Sequence, residues 1–117
     1  MLYKEEDIDM QEKRKRITLG DILPASAKIL SGREEGKKAR LHYKLDEIDQ
    51  QGIEVEVNIP SKFWTISSSY FLGCFGKSVR NLGVEGFKQK YQFKCDPIFE
   101  PNIEDGIARS VNTTGIL

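Results

Sequence analysis

The fold is decided by residues 53–72, which read IEVEVNIPSKFWTISSSYFL. In residues 53–59 apolar and polar side chains alternate, which is typical of a β-strand with one buried face. Pro60 cannot donate a ladder hydrogen bond and ends that strand. Three serines then precede an apolar pattern at three- and four-residue steps, which predicts the start of an amphipathic helix. A strand that leads into such a helix through a short loop is typical of an α/β protein.

Downstream of the serines the spacing of apolar residues predicts a helix, a strand and a second helix. The first of these helices ends at Gly83, and residues 91–95 then alternate as a strand. The helical spacing of Ile103, Ile107 and Val111 predicts the terminal helix. The inward stripe of the helix that begins at the serines comprises Phe71, Cys74, Phe75, Ser78, Val79 and Leu82.

Upstream of the decisive stretch, the sequence predicts a short strand at residues 16–19 and a helix that ends at residues 50–52. Ser31 and Glu34 have the spacing of a capping box, in which each side chain bonds a free amide at the helix start. Gly52 is expected to take the left-handed conformation at the end of the helix. The expected apolar stripe is Ala39, Leu41, Leu45 and Ile48, and the expected solvent side is Lys37, Lys38, Arg40, Asp46 and Glu47.

The predicted elements follow the order strand, helix, strand, helix, strand, helix. This order implies an α/β fold, with a mixed, partly parallel sheet covered by helices. At 117 residues the chain is long enough for one domain. Residues 1–15 are dense in charged side chains, so they are interpreted as an N-terminal tail or lead-in, and the domain is assigned to residues 16–117.

The composition argues against several classes of protein. Lys and Arg total 18 and Asp and Glu total 18, so no net charge attracts nucleic acid or an anionic membrane. No apolar run approaches the roughly 20 residues of a membrane-spanning helix, and residues 1–16 lack the apolar stretch of a secretory signal. Cys74 and Cys95 do not form a Cys-x-x-Cys pair, and the one disulfide they could form would be an unusual way to stabilise a secreted domain, which favours the cytoplasm.

Several segments carry a resemblance to a known family. The strand at residues 53–59 and the helix start at residues 66–71 resemble the STAS domain of bacterial anti-sigma factor antagonists, in which a buried strand precedes a segment of the type Ile-Asp-Ser-Ser-Gly-Leu. The chain is more similar to the small bacterial STAS-like family. That family shows an Arg at an upstream helix start, an apolar strand, and then Ile-Ser-x-Ser-Phe. Residues 31–36 and 83–88 match as well, and the resemblance covers roughly residues 16–111.

The resemblance implies a partner switch. In the better-known STAS proteins, an ATP-binding kinase of histidine-kinase-like fold phosphorylates a serine at this helix start, and phosphorylation ends the complex. By position that serine corresponds to Ser68, while Ser67 replaces the preceding Asp and Tyr70 replaces the Gly. Ser67, Ser68 and Ser69 are therefore the phosphorylation candidates. The protein itself is expected to be the ligand and substrate of its partner and not an enzyme.

The aromatic residues around the serines are the expected contact surface. Phe63 and Trp64 follow the strand, and Tyr70 follows the serines. An exposed Trp beside a regulated helix start would serve as an interface anchor. Phe63 and Trp64 could instead pack under the edge of the sheet, as such pairs often do. The sequence leaves both interpretations open.

Two other functions stay open, and an enzyme is the least supported. A small-molecule or nucleotide sensor could use the helix start at Ser67–Ser69 as an anion site, or the serines could merely cap the helix of a structural subunit. His42 is the single histidine, with no second ligand at helical spacing. Cys74 and Cys95 lie on the inward phases of their predicted elements. We therefore expect no catalytic residue, no metal site and no cofactor.

Overall fold

The computed structural model describes residues 14–116, and the side chains of residues 14–112. Within this range the α/β class expected from the sequence is confirmed. The elements are, in order, β1 (Arg14–Thr18), β2 (Ile29–Leu30), α1 (Arg33–Tyr43), α2 (Leu45–Ile48), β3 (Glu54–Asn58), β4 (Thr65–Ile66), α3 (Ser68–Lys90), β5 (Tyr91–Lys94), a 3-10 turn (Pro97–Phe99) and α4 (Glu100–Ile116).

The central sheet contains three strands in the order β1-β3-β5, and both neighbouring pairs are parallel. Val55 of β3 lies beside Lys15 of β1 and Tyr91 of β5. Parallel neighbours need a crossover connection, and the segments that contain α1 and α3 provide the two crossovers. β2 and β4 form a separate two-stranded ribbon, also parallel, in which Ile29 lies beside Thr65.

The helices in the described range cover one face of the central sheet. On the covered face Val55 is buried, and the ring of Tyr91 packs edge-on against Phe75 of α3, with ring centroids 5.7 Å apart. The other face carries polar side chains, for example Arg16, which pairs with Glu56 at 2.9 Å and is still 70% exposed. The strict alternation in β3 therefore separates a core face from a solvent face.

Helix α3 lies at the centre of the molecule, where it packs against both α1 and α4. Its buried residues Phe71 and Phe75 contact the ring of Phe87. At Gly83 the backbone leaves helical geometry, with φ 79° and ψ 162°. The helix predicted to end at Gly83 is interrupted there, and helical residues then continue to Lys90. Glycine permits the interruption because it accepts a positive φ without a steric penalty.

Helices α1 and α3 cross at two glycines. A Cβ atom added to Gly36 would lie 2.2 Å from the carbonyl oxygen of Tyr70. A Cβ atom added to Gly73 would lie 2.2 Å from the carbonyl oxygen of Arg33. The two backbones are therefore in direct contact, and no larger residue fits at either position. This crossing fixes α1 against the first two turns of α3.

The ends of the helix upstream of β3 differ from the expectation. Gly32 is the N-cap of α1 and no side chain caps this end, so the predicted capping box of Ser31 and Glu34 is wrong. A left-handed residue, Lys44 at φ 58°, divides the predicted single helix into α1 and α2. Gly52 does not adopt the left-handed conformation expected of it.

The buried face of α1 also differs from the expectation. Arg40, expected on the solvent side, is 8% exposed, whereas Leu41, expected in the apolar stripe, is 74% exposed. The physical reason is that Arg40 occupies the inward phase and finds polar partners there. The buried residues of α1 are Gly36, Ala39, Arg40 and Tyr43, which have the i, i+3, i+4, i+7 spacing of one helix face.

The strand boundaries contain two further differences. β1 begins at Arg14, two residues before the predicted strand, because Arg14 and Arg16 stand opposite Glu54 and Glu56 of β3. Residues 1–13 of the predicted lead-in lie outside the described residues. The sequence pattern does not predict β2 or β4, because a strand of two residues has no periodicity to detect.

Helix α3 contains 23 residues, but glycines and charged side chains interrupt its apolar pattern. Among residues 14–116, no helix combines the length and the apolar character that crossing a membrane requires.

Candidate functional site

The start of α3 is held by the ribbon of β2 and β4. The N–H of Trp64 donates to the carbonyl of Lys28 at 2.7 Å, and the N–H of Ser67 donates to the carbonyl of Leu30 at 2.8 Å. Leu30 and Ile66 are buried, so the ribbon is anchored in the core. The chain therefore enters α3 along one defined path, and the predicted helix start at the serines is confirmed.

The three serines at the helix start have different environments. Ser67 is the N-cap, and its Oγ accepts a hydrogen bond from the N–H of Tyr70 at 3.0 Å. Ser68 is the first residue of the helix and is half-buried, while Ser69 is exposed. Neither of these two hydroxyls has a partner in the part of the chain that the structure describes. The run thus contains one capping serine and two whose hydroxyls have no partner within the described residues.

Replacing Ser67 with alanine is expected to lower the free energy of unfolding by about 1 kcal/mol, because the N–H of Tyr70 loses its acceptor. Ser69→Ala is the matched control, since Ser69 is exposed in the same turn, and its effect should stay within about 0.5 kcal/mol. Urea denaturation of the two variants measures both values. Equal effects would mean that Ser67 does not act as the cap.

Two of the three aromatic residues expected on the contact surface are buried. Phe63 is 3% exposed and Tyr70 is 1% exposed. The ring of Phe63 fills the space beside Gly20, where an added Cβ would lie 2.2 Å from it. The prediction that Phe63 and Tyr70 contact a partner is therefore wrong, because both rings belong to the core. Trp64, in contrast, is 72% exposed.

Trp64 is the largest exposed apolar side chain in residues 14–112. Ile29, in the strand that pairs with β4, is also 48% exposed. A single exposed apolar residue is ordinary on a protein surface. Trp64 lies immediately before β4 and three residues before Ser67 in the sequence, and Trp is enriched among the residues that anchor protein interfaces.

Asn102 of α4 holds the ribbon from the other side. Its side-chain amide donates to the carbonyl of Ile66 at 3.0 Å and to Oγ1 of Thr65 at 3.4 Å. The amide thus donates to a peptide carbonyl of β4 that would otherwise be unpaired at the edge of the ribbon. The start of α3 is therefore positioned by β2 and by α4 together. No local sequence signal identifies Asn102, since its partners are 36 and 37 residues away.

A polar cluster that the sequence does not predict lies between α1, α2, α3 and β5. Arg40 donates to the carboxylates of Asp46 at 2.7 Å and Asp49 at 3.0 Å, and to Oγ of Ser78 at 2.9 Å. The hydroxyls of Ser78 and Tyr91 each donate to Asp49 at 2.5 Å. We call these five residues the Arg40 cluster: Arg40, Asp46, Asp49, Ser78 and Tyr91.

The Arg40 cluster has a structural role. Within the described residues, no buried side-chain nitrogen or oxygen lacks a hydrogen-bond partner. Burial, and then the hydrogen bond to Asp49, raise the pKa of Tyr91 far above its ordinary value. The hydrogen bond from Arg40 lowers the pKa of Asp46. Every group of the cluster thus has a hydrogen-bond partner within the protein.

Cys74, Cys95 and His42 carry the other side chains that could act in catalysis. Burial raises the pKa of the Cys74 thiol and, to a smaller extent, that of Cys95. A raised pKa keeps a thiol protonated and unreactive. His42 is exposed on α1. In residues 14–116 no three side chains of His, Cys, Asp or Glu lie close enough together to hold a metal ion.

Comparisons with protein-family models, with curated proteins and with solved structures find no match for this chain. The resemblance to the STAS-like family rests on the sequence segments that carry it and stays a prediction.

Proposed function

We propose that this protein is a regulatory module without enzymatic activity, which binds a protein partner at Trp64 and at the start of α3. The observation that carries the proposal is the 72% exposure of Trp64, immediately before the ribbon that leads into the serines. An aromatic ring offers a large contact area and loses little conformational entropy when it is bound. Trp64 is therefore the expected anchor of the interface.

Phosphorylation of Ser68 is the proposed switch. A phosphate adds nearly two negative charges and three acceptor oxygens. At the first residue of a long helix, free amides and the helix dipole favour an anion. The phosphate would change the charge that a partner meets beside Trp64. By the resemblance to STAS proteins, the partner is an ATP-binding protein of histidine-kinase-like fold, which would also be the kinase.

The proposed module is cytoplasmic and binds neither nucleic acid nor membranes. The equal numbers of basic and acidic residues support this, because such binding generally requires a basic surface. Cys74 and Cys95 are free, which fits a reducing compartment. We propose no cofactor, since the recognition chemistry is supplied by Trp64 and the serine hydroxyls alone.

The test is affinity isolation of the tagged protein from its native host, followed by quantitative mass spectrometry. The wild-type protein is expected to recover an ATP-binding, kinase-like protein. Trp64→Ala should lower the recovery at least tenfold, as expected for an anchor residue. Leu41→Ala is the matched control, since Leu41 is 74% exposed on α1, and it should leave the recovery unchanged.

Variants at Ser68 test the switch separately from the anchor. Ser68→Asp places a negative charge at the helix start and is expected to release the partner, whereas Ser68→Ala should retain it. A partner retained by both Trp64→Ala and Ser68→Asp would contradict the proposal and support a structural subunit. If the purified wild-type protein binds phosphate or ATP, and Ser68→Asp abolishes that binding, the protein is a sensor instead.

A further inference from the structure

The free edge of β5 presents a specific set of peptide groups. The N–H of Ile59 donates to the carbonyl of Lys94 at 3.2 Å, and Lys94 lies beside Asn58 in the ladder. In a parallel ladder the N–H and the C=O of one residue point to the same neighbour, and alternate residues point to opposite sides. Gln92 and Lys94 therefore bond to β3, while the N–H and C=O groups of residues 91 and 93 and the N–H of Cys95 point away from the sheet.

Most of these outward groups are unpaired. The N–H of Tyr91 donates to the carbonyl of Phe87, at the end of α3. The C=O of Tyr91, both groups of Phe93 and the N–H of Cys95 have no partner among residues 14–116. Unpaired groups at an exposed edge are a template for another strand.

The two edges of the sheet differ in how they are protected. β1 carries Arg14, Lys15 and Arg16 in succession, and charged side chains discourage strand pairing. β5 borders instead on a cavity of 460 Å³ between the end of α3 and α4. Its lining combines apolar residues, among them Phe87, Phe93 and Ile103, with the charged residues Lys88, Glu100 and Glu104. Open space with a partly apolar wall therefore lies beside the edge whose peptide groups are free.

We infer that β5 pairs with β5 of a second copy of this chain, antiparallel and about a two-fold axis at Phe93. The two Phe93 residues then exchange their N–H and C=O groups, and each Cys95 N–H donates to the Tyr91 carbonyl of the other copy. The pairing uses the C=O of Tyr91, both groups of Phe93 and the N–H of Cys95 in each copy, and it forms four hydrogen bonds. The interface is isologous, as in most homodimers, and the two sheets become one of six strands.

The register follows from hydrogen bonding and charge. An axis at Lys94 would place two lysines directly opposite each other, which is unfavourable. An axis at Gln92 would form only two hydrogen bonds, because the N–H of Tyr91 is already used. The axis at Phe93 places Gln92 opposite Lys94 of the second copy, on the solvent face of the sheet. It also places the second Phe93 ring on the covered face, where the cavity lies.

Charge variants at Gln92 test the pairing without touching the core, because Gln92 is exposed. Gln92→Glu would create two ion pairs with Lys94 across the axis and should lower the dimer dissociation constant about fivefold. Gln92→Lys would place like charges there and should raise it about fivefold. Sedimentation velocity, at protein concentrations from about 1 µM to about 1 mM, measures the wild-type protein and both variants.

Thermal unfolding provides the control for these variants. Gln92 lies beside Glu56 within the same chain, so Gln92→Lys should leave the monomer at least as stable as Gln92→Glu. For dimer affinity the expected order is the reverse, with Gln92→Glu tighter than Gln92→Lys, so an effect on pairing can be told from an effect on folding.

A second pair of variants, Cys95→Pro and Cys95→Ala, tests the hydrogen bond from the N–H of residue 95. Proline has no N–H and alanine keeps it, so only Cys95→Pro should weaken the dimer, by about tenfold. A wild-type protein that is monomeric at all concentrations, or a dimer unaffected by these changes, would overturn the inference.

Discussion

Replacing Arg40 with alanine is expected to lower the free energy of unfolding by about 3 to 5 kcal/mol. The side chains of Arg40 and Asp49 are 9% and 5% exposed, so the variant leaves a carboxylate buried without its cation. Ser78 also loses the guanidinium that donates to it. The cost is large because the desolvation of Asp49 is no longer offset, and because α1 and α3 lose their polar connection.

The matched control for this prediction is Arg16→Ala. Arg16 forms a pair of similar length with Glu56, 2.9 Å, but its side chain is 70% exposed. Exposed pairs contribute about 0 to 1 kcal/mol, so the control should lose no more than that. Urea denaturation, with the slope m compared among the variants, gives both values. A loss below about 1 kcal/mol in Arg40→Ala would contradict the role given to the Arg40 cluster.

The Arg40 variant also has a spectroscopic signature. The hydrogen bond from Arg40 is the main reason why the pKa of Asp46 lies below 3.8, and the smaller effect of burial opposes it. A lowered folded-state pKa stabilises the protein above the unfolded-state value, and this contribution is lost as the pH falls through the folded-state pKa. The contribution is small because the Asp46 side chain is 53% exposed. In Arg40→Ala, an NMR titration should show the pKa of Asp46 rising toward 3.8, and in Arg16→Ala it should not change.

The parts of the fold that the sequence predicts are those with a local pattern. β3 and the start of α3 follow from strict alternation and from a serine run before an apolar stripe, both within residues 53–72. Gly83 is recognised because glycine commonly ends a helix. The sequence does not reveal that Arg40 faces inward, because a charged residue beside Leu41 is ordinarily assigned to the solvent side. Its burial depends on Asp49 and Ser78, and the latter is 38 residues away in the sequence.

In the candidate site, too, the sequence predicts the features that have a local pattern and misses those that depend on packing. The sequence locates the serines at the helix start, but Ser67 is distinguished from Ser68 only by the hydrogen bond to the N–H of Tyr70. Trp64 and Phe63 are adjacent in a loop without periodicity, and which of them is buried depends on packing against Gly20. The contact of Phe63 with Gly20 decides which of the two rings is exposed, and no local window of sequence contains both partners.

Replacing Gly73 with alanine is expected to lower the free energy of unfolding by about 3 kcal/mol or more. The added Cβ would lie 2.2 Å from the carbonyl oxygen of Arg33 and 3.0 Å from the N–H nitrogen of Lys37. Both are backbone atoms of α1, so no side-chain rotation relieves the contact. The two helices must separate instead, and the core between them loses packing contacts. A fall in the melting temperature of roughly 10 °C or more is expected.

Gly86→Ala is the matched control for Gly73→Ala, because both glycines lie in α3 and both changes add one methyl group. At Gly86 the added Cβ would meet only Cβ of Leu82, at 3.4 Å, an ordinary contact. Alanine also favours the helix over glycine, so this variant should gain about 0.5 to 1 kcal/mol. Opposite signs for the two substitutions would show that the crossing of α1 and α3, and not helix propensity, determines the cost at Gly73. A loss at Gly86 as large as that at Gly73 would mean that α3 tolerates no added methyl group, and the backbone contact at the crossing would then explain nothing.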